Sequence, residues 1–367
     1  MNHNNADILF TPFNLQSLTL QNRIVMAPLT RNRAIHGTDA PHALNAEYYG
    51  QRASAGLIIS EATQISPTAK GYAWTPGIYS PEQIAGWKLV TNAVHAQGGA
   101  IYAQLWHVGR ISHPTLQPEG TLPVAPSAIM PTGQKTFIET GMFTDIGKPR
   151  ALALAEIPHI VEDYRKAANN ALQAGFDGVE IHAANGYLIQ QFLSDGSNHR
   201  TDRYGGSITN RLRFALEVVE AITTEIGGHR TGIRLSPVTP SNGISDSSPT
   251  AVYFPLVREL NQFNLAYIHV IEGATQGPRE LHEFDFHLLR KEFHGPWMVN
   301  NNYTRDMAVH AISSGYADLV AFGRPFIANP DLVKRFKKNA PLNGLERTTL
   351  YGGAAKGYTD YPVLEEK

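Results

Sequence analysis

The chain has 367 residues, 42% of them hydrophobic and 17% charged, which supports a large buried core and excludes intrinsic disorder. Lys plus Arg total 31 against 32 Asp plus Glu, so a net charge of −1 offers no basic surface for nucleic acid or an anionic membrane. No cysteine is present, which excludes disulfides, thiolate metal sites and a cysteine nucleophile together.

The start of the chain, Met1 to Ala6, has neither a basic nor an apolar leader character, and no apolar run approaches the ~18 residues of a membrane span. The expectation is a cytoplasmic protein. Phe10–Asn22 then reads as a β-hairpin. After it, short apolar runs recur at Ile24–Ala27, Gly56–Ser60, Ala100–Gln104, Gly178–His182, Thr231–Leu235, Ala266–Val270, Pro296–Asn300 and Ala317–Phe322. They are continuous rather than alternating, as strands buried on both faces are. Helical periodicity follows at Pro81–Ala96, Ala155–Ala174, Asn210–Ile226, Pro249–Phe263, Asp285–Phe293, Thr304–Ser314 and Asn329–Lys338.

This rhythm predicts an α/β fold, a (β/α)8 TIM barrel forming one domain over 1–367, with the hairpin capping its bottom. A doubly wound sheet is the competing architecture. It is disfavoured because no strand is followed by a Gly-rich dinucleotide fingerprint, and Gly98-Gly99 precedes a strand instead. The stretch 107–150 is a long Pro-, Gly- and Ser-rich excursion after the third strand, on the face where barrel loops build active sites. The tail Tyr351–Pro362 is aromatic and Gly-rich, and is expected to pack back on the barrel.

Polar residues at strand C-termini face the barrel mouth. Here they are Thr30, Gln104, His182 and Arg234, with Gly323-Arg324 after the last strand. Any one of them alone can be structural. Together they offer a planar amide, a fixed cation and a hydroxyl, suited to a flat ligand with several hydrogen-bonding edges and an anionic locus. No carboxylate pair, metalloprotease motif or nucleophile elbow is present. A flavin mononucleotide fits, with its phosphate near Asn300–Asn302 and Gly323-Arg324. His182, Asn185 and Tyr187 form the sharpest cluster. A metal site there lacks further ligands. A packed turn is the bland reading. The functional one is a His/Asn donor pair gripping a substrate oxygen, with a phenol as proton donor.

Seven motifs carry a resemblance: Asn22–Arg31 (NRIVMAPLTR), Glu47–Thr63 (EYYGQRASAGLIISEAT), Gln104–Arg110 (QLWHVGR), His182–Leu188 (HAANGYL), Ser197–Asn210 (SNHRTDRYGGSITN), Phe322–Pro330 (FGRPFIANP) and Lys356–Pro362 (KGYTDYP). Spread in order over nearly the whole chain, they resemble the Old Yellow Enzyme family of FMN-dependent ene-reductases. The resemblance implies tightly bound, non-covalent FMN held by Pro28, Leu29, Thr30, Ala62, Gln104, Arg234, Asn301, Asn302, Gly323 and Arg324. It implies His182 and Asn185 as binders of the substrate oxygen, Tyr187 as proton donor, and Thr30, Tyr72, Trp106 and Tyr351 as pocket walls.

NADPH or NADH is the implied reductant, activated alkenes the implied substrates, and a monomer or homodimer the expected state, with no nucleic acid or membrane partner and no metal. Nitrate-ester or nitroaromatic reduction on the same fold is the alternative reaction. A flavin-free barrel lyase or isomerase and a passive flavin binder are the rivals from other classes. Two departures stand out: Asn185 where several relatives have a second His, and Val299–Asn302 where relatives carry Gly or Ala.

Overall fold

A computed structural model describes residues 6–275, 277–280 and 284–365. Eight parallel strands close into a barrel: β1 (Ile24–Met26), β2 (Leu57–Ile59), β3 (Ile101–Trp106), β4 (Gly178–Ala183), β5 (Thr231–Leu235), β6 (Tyr267–Ile271), β7 (Trp297–Asn300) and β8 (Leu319–Phe322). They pair in chain order, and β8 returns to β1 with Val320 opposite Ile24. A ninth short strand, Thr63–Gln64, lies beside the end of β3. All eight expected strands are therefore present, and the doubly wound alternative is excluded by closure.

Both faces of each strand are buried, which explains the unbroken apolar runs. One parity of side chains packs under the helices. The other fills the barrel, where Val25, Leu57, Ile59, Tyr102, Tyr267, Met298 and Leu319 cluster. The N-terminal hairpin, Phe13–Leu15 with Leu18–Leu20, drives Leu15 and Leu20 into that same cluster and plugs the bottom.

The helices are α1 (Ala43–Gly50), α2 (Pro81–His95), α3 (Ile157–Gln173), α4 (Leu188–Leu193), α5 (Ile208–Ile226), α6 (Pro249–Leu260), α7 (Phe286–Lys291), α8 (Arg305–Ser313), α9 (Arg324–Ala328) and α10 (Leu332–Lys338). Their starts follow capping chemistry. Ser80, Ser207, Asp285 and Thr304 each accept a backbone N–H of the first turn. Three helices were not expected from periodicity: α1, within the connection from β1 to β2, and the short α4 and α9, just after β4 and β8.

The excursion after β3 is ordered by pairing. Lys135–Phe137 and Phe143–Asp145 form an antiparallel hairpin, and Val124–Ala125 pairs in parallel with Arg150–Ala151. The hairpin is pinned to the loop after β2. Ala73 N–H donates to Phe137 O at 2.7 Å, and Lys70 bridges Asp39 at 2.8 Å and Glu139 at 2.7 Å.

The tail packs back, held by two buried arginines of the loop after β1. Arg31 donates to Leu350 O at 2.9 Å and Gly357 O at 2.7 Å. Arg33 donates to Thr349 O at 2.9 Å and Ala354 O at 3.0 Å. Tyr358 stacks on Tyr48 with ring centroids 4.0 Å apart.

Candidate active site

A cavity of about 490 Å³ opens at the C-terminal mouth of the barrel, within the roughly 300–1,000 Å³ range of cofactor sites. Pro28, Leu29 and Thr30 line it after β1, Arg234 and Asn300 from inside β5 and β7, Asn301 and Asn302 after β7, and Gly323 and Arg324 after β8. Asn185 and Tyr351 close its other walls. A wider groove of about 1,120 Å³ lies beside it between Gly277–Glu280, Phe284–His287 and α8. Glu272 lines it, with a carboxylate that already accepts from Arg279, Tyr303 and Tyr316. Of the expected strand-end groups, Thr30, Arg234, Gly323 and Arg324 line the smaller cavity, whereas Gln104, His182 and Tyr187 stand outside its lining.

The His182–Tyr187 turn shows how local bonding aims each group. His182 Nδ1 accepts the backbone N–H of Ala184 at 3.3 Å, which places the ring proton on Nε2. Burial first, then the Arg234 charge, hold this imidazole well below its usual pKa, so it is a neutral N–H donor. Asn185 stands in the left-handed region at φ 56°, which Asn tolerates well. Its Oδ1 accepts from Thr275 Oγ1 at 2.6 Å, leaving the amide N–H groups outward. Its backbone is fixed by Ser236 Oγ at 2.8 Å and by Asn242 Nδ2 at 2.8 Å. Gln190 ties the same turn to Ser236 through three further bonds. These supporting residues have no signal in the sequence, because they act only through contacts between separate loops.

Tyr187 packs edge-on against His182 at 5.0 Å and Trp106 at 4.9 Å. Its hydroxyl lies 3.1 Å from that of Tyr72, whose ring stacks on Trp106 at 5.8 Å. Burial pushes the Tyr187 phenol above its ordinary value, so it is protonated at neutral pH. Ala62 completes this apolar wall with Val108, Ile111 and Ile146. Gln104 lies a layer lower, where its Nε2 donates to Glu180 Oε1 at 2.8 Å.

The end of the cavity after β7 differs in character from the rest. Asn301 at φ 112° and Asn302 at φ 51° make a left-handed turn. Their side chains are spent on Glu272 O at 2.6 Å and Gly277 O at 2.8 Å, which fixes the turn and leaves backbone to line the cavity. Among the described residues, no group of three His, Cys, Asp or Glu could hold a metal ion. No helix among the described residues is long and apolar enough to cross a membrane.

The donor set fits a flavin mononucleotide. Arg234 donates through Nη2 to Asn300 Oδ1 at 2.9 Å, but its buried Nε has no partner among the described residues. Burial lowers the guanidinium only to about 10, so Arg234 stays a cation in the cavity lining at neutral pH.

The model of the NADH:flavin oxidoreductase / NADH oxidase family matches residues 8–343. The chain belongs to that family, the Old Yellow Enzyme type of flavin-dependent oxidoreductase. It is 47% identical over 364 residues to 12-oxophytodienoate reductase 1 of Oryza sativa subsp. japonica, covering 98% of this chain and 93% of that protein. It is 46% identical over 363 residues to 12-oxophytodienoate reductase 2 of Arabidopsis thaliana, covering 97% and 96%. Among solved structures, morphinone reductase in complex with tetrahydroNAD superposes with a TM-score of 0.92 at 52% identity, covering 97% of this chain and 98% of that one. The old yellow enzyme homologue from Zymomonas mobilis gives 0.93 at 46% identity, covering 97% and 99%.

Proposed function

We propose that the chain is an NAD(P)H-dependent FMN ene-reductase that reduces C=C bonds activated by a carbonyl or nitro group, the whole of 1–367 acting as one FMN-binding unit. The observation that carries the reading is the paired donors: His182 Nε2–H and the Asn185 amide, both set by their hydrogen bonds, with a protonated Tyr187 packed against the His182 ring. FMN, when bound, supplies a two-electron hydride relay between the nicotinamide and the alkene.

In this reading Pro28, Leu29, Thr30 and Ala62 flank the isoalloxazine, Gln104 and Arg234 meet its pyrimidine edge, and Asn301, Asn302, Gly323 and Arg324 hold the phosphate. His182 and Asn185 grip the electron-withdrawing oxygen and polarise the double bond. Tyr187 delivers a proton to the α-carbon, its hydroxyl oriented by Tyr72. Trp106 and Tyr351 bound the space for the alkene. The nicotinamide uses the same cavity in turn, which accounts for a chain with no separate dinucleotide-binding unit. A cytoplasmic location is part of this reading, since NAD(P)H is available there. Every proposed group comes from one chain, so a monomer or homodimer suffices.

The test is spectroscopic. The purified protein should be yellow, lose that absorbance with NADPH under anaerobic conditions, and regain it on adding cyclohexenone. A colourless protein whose apoprotein binds no FMN contradicts the reading.

A further inference from the structure

Below the cavity floor, the barrel interior carries a polar layer that the proposed chemistry leaves unexplained. Glu180 points inward from β4 and is fully buried. Its Oε1 accepts from Gln104 on β3 at 2.8 Å, and its Oε2 lies 2.8 Å from His269 Nδ1 on β6. Between them in the ladder stands β5, where Arg234 is in register with His182 on one side and His269 on the other. Arg234 spends Nη2 on Asn300 rather than on Glu180, so the two charges share the layer without an ion pair at contact distance.

An apolar residue would fill this depth at lower cost, since a buried carboxylate is expensive unless held by donors. Burial pushes the Glu180 carboxyl up, but His269, Arg234 and Gln104 together hold it below the usual carboxylate range. Burial drives the His269 ring below its ordinary value. The ring therefore donates Nδ1–H as a neutral group, and the negative charge stays on the carboxylate.

We propose that Glu180 is a positioning residue and counter-charge for the flavin: it fixes the Gln104 amide by taking one Nε2–H, and it opposes Arg234, setting the flavin potential below the value Arg234 alone would give. The inference rests on the flavin reading of the cavity. Glu180→Gln keeps the shape, since its amide can accept from Gln104 and donate to the other His269 tautomer. Removing one buried unit charge beneath the flavin, in an effective dielectric of about 20, favours the reduced cofactor on the order of tenfold. For a two-electron couple that is a rise of about 30 mV in midpoint potential.

Redox titration of the FMN-loaded variant should show that rise. An unchanged or lowered midpoint at full FMN occupancy overturns the proposal. His269→Gln retains a donor to Glu180 and leaves the charge, so its midpoint should match the wild type. An equal rise in both variants means that general loosening is responsible, and also overturns it. Nitrogen-15 NMR of the His269 ring in the wild-type protein needs no variant to fold. It should report a neutral ring protonated on Nδ1, and an imidazolium would leave the pair without net charge and sink the idea. Failure of the wild-type apoprotein to bind FMN would instead remove the flavin reading, while the protonation state of His269 would stand.

Discussion

The imidazole of His182 owes its donor role to a backbone amide two residues on, and the amide of Asn185 owes its orientation to the Thr275 hydroxyl. Both depend on contacts rather than on residue type. Charge-assisted hydrogen bonds are worth ~1.5–3 kcal/mol. His182→Ala should therefore weaken the binding of p-hydroxybenzaldehyde, as its phenolate, by roughly 10- to 100-fold, read from the long-wavelength band of a phenolate stacked on oxidised flavin. Equal affinities would remove His182 from the binding role.

Glu61 gives a second residue-scale prediction. Burial lifts its carboxyl from 4.5 to about 7, against the opposing pull of the Arg31 N–H and the arginine charges. The folded protein thus keeps a proton that the unfolded chain loses above about 4.5. Stability falls as pH rises from about 4.5 to about 7 and stays reduced beyond, by a total of about 3 kcal/mol. Glu61→Gln imitates the protonated acid. Its Tm should exceed the wild type at pH 8, with a much smaller gain at pH 5; an equal gain at both would show that Glu61 does not titrate in this range.

Among the elements, the strands were legible because burial on both faces writes continuous apolar runs. The helix α1 was not. Its buried residues, Asn45, Tyr48 and Tyr49, mix polar with aromatic, so no apolar stripe marks it. The excursion was readable only as a long Pro-, Gly- and Ser-rich segment, since the anchor of its hairpin is a Lys70 ion pair reaching from another loop. The tail was legible as packed, but not how: Arg31 and Arg33 bind backbone carbonyls, which any sequence presents. Burial and the Arg31 charge lower Arg33 to about 10, leaving it cationic at neutral pH. Arg33→Gln should release the tail and loosen the wall at Tyr351. The expected result is a several-fold rise in KM for cyclohexenone with FMN retained, and faster proteolysis after Arg347. A variant with unchanged KM and tail protection would show that Arg31 alone holds the segment.

At the scale of the whole molecule, a closed barrel gathers the inward side chains and exit loops of its strands at one mouth. That is why strand-end residues far apart in sequence are legible as parts of one candidate site. The layer beneath was hidden, because Glu180 and His269 sit inside runs that otherwise read as apolar strand. In the proposed reading one cavity serves two half-reactions. Stopped-flow measurement of each half-reaction on Tyr187→Phe probes this most directly. Reduction by NADPH needs no acid at Tyr187 and should proceed at nearly the wild-type rate. Reoxidation by cyclohexenone should slow by about 10²–10⁴-fold, the usual contribution of a positioned acid. Reoxidation at the wild-type rate, or equal modest slowing of both steps, would contradict the account.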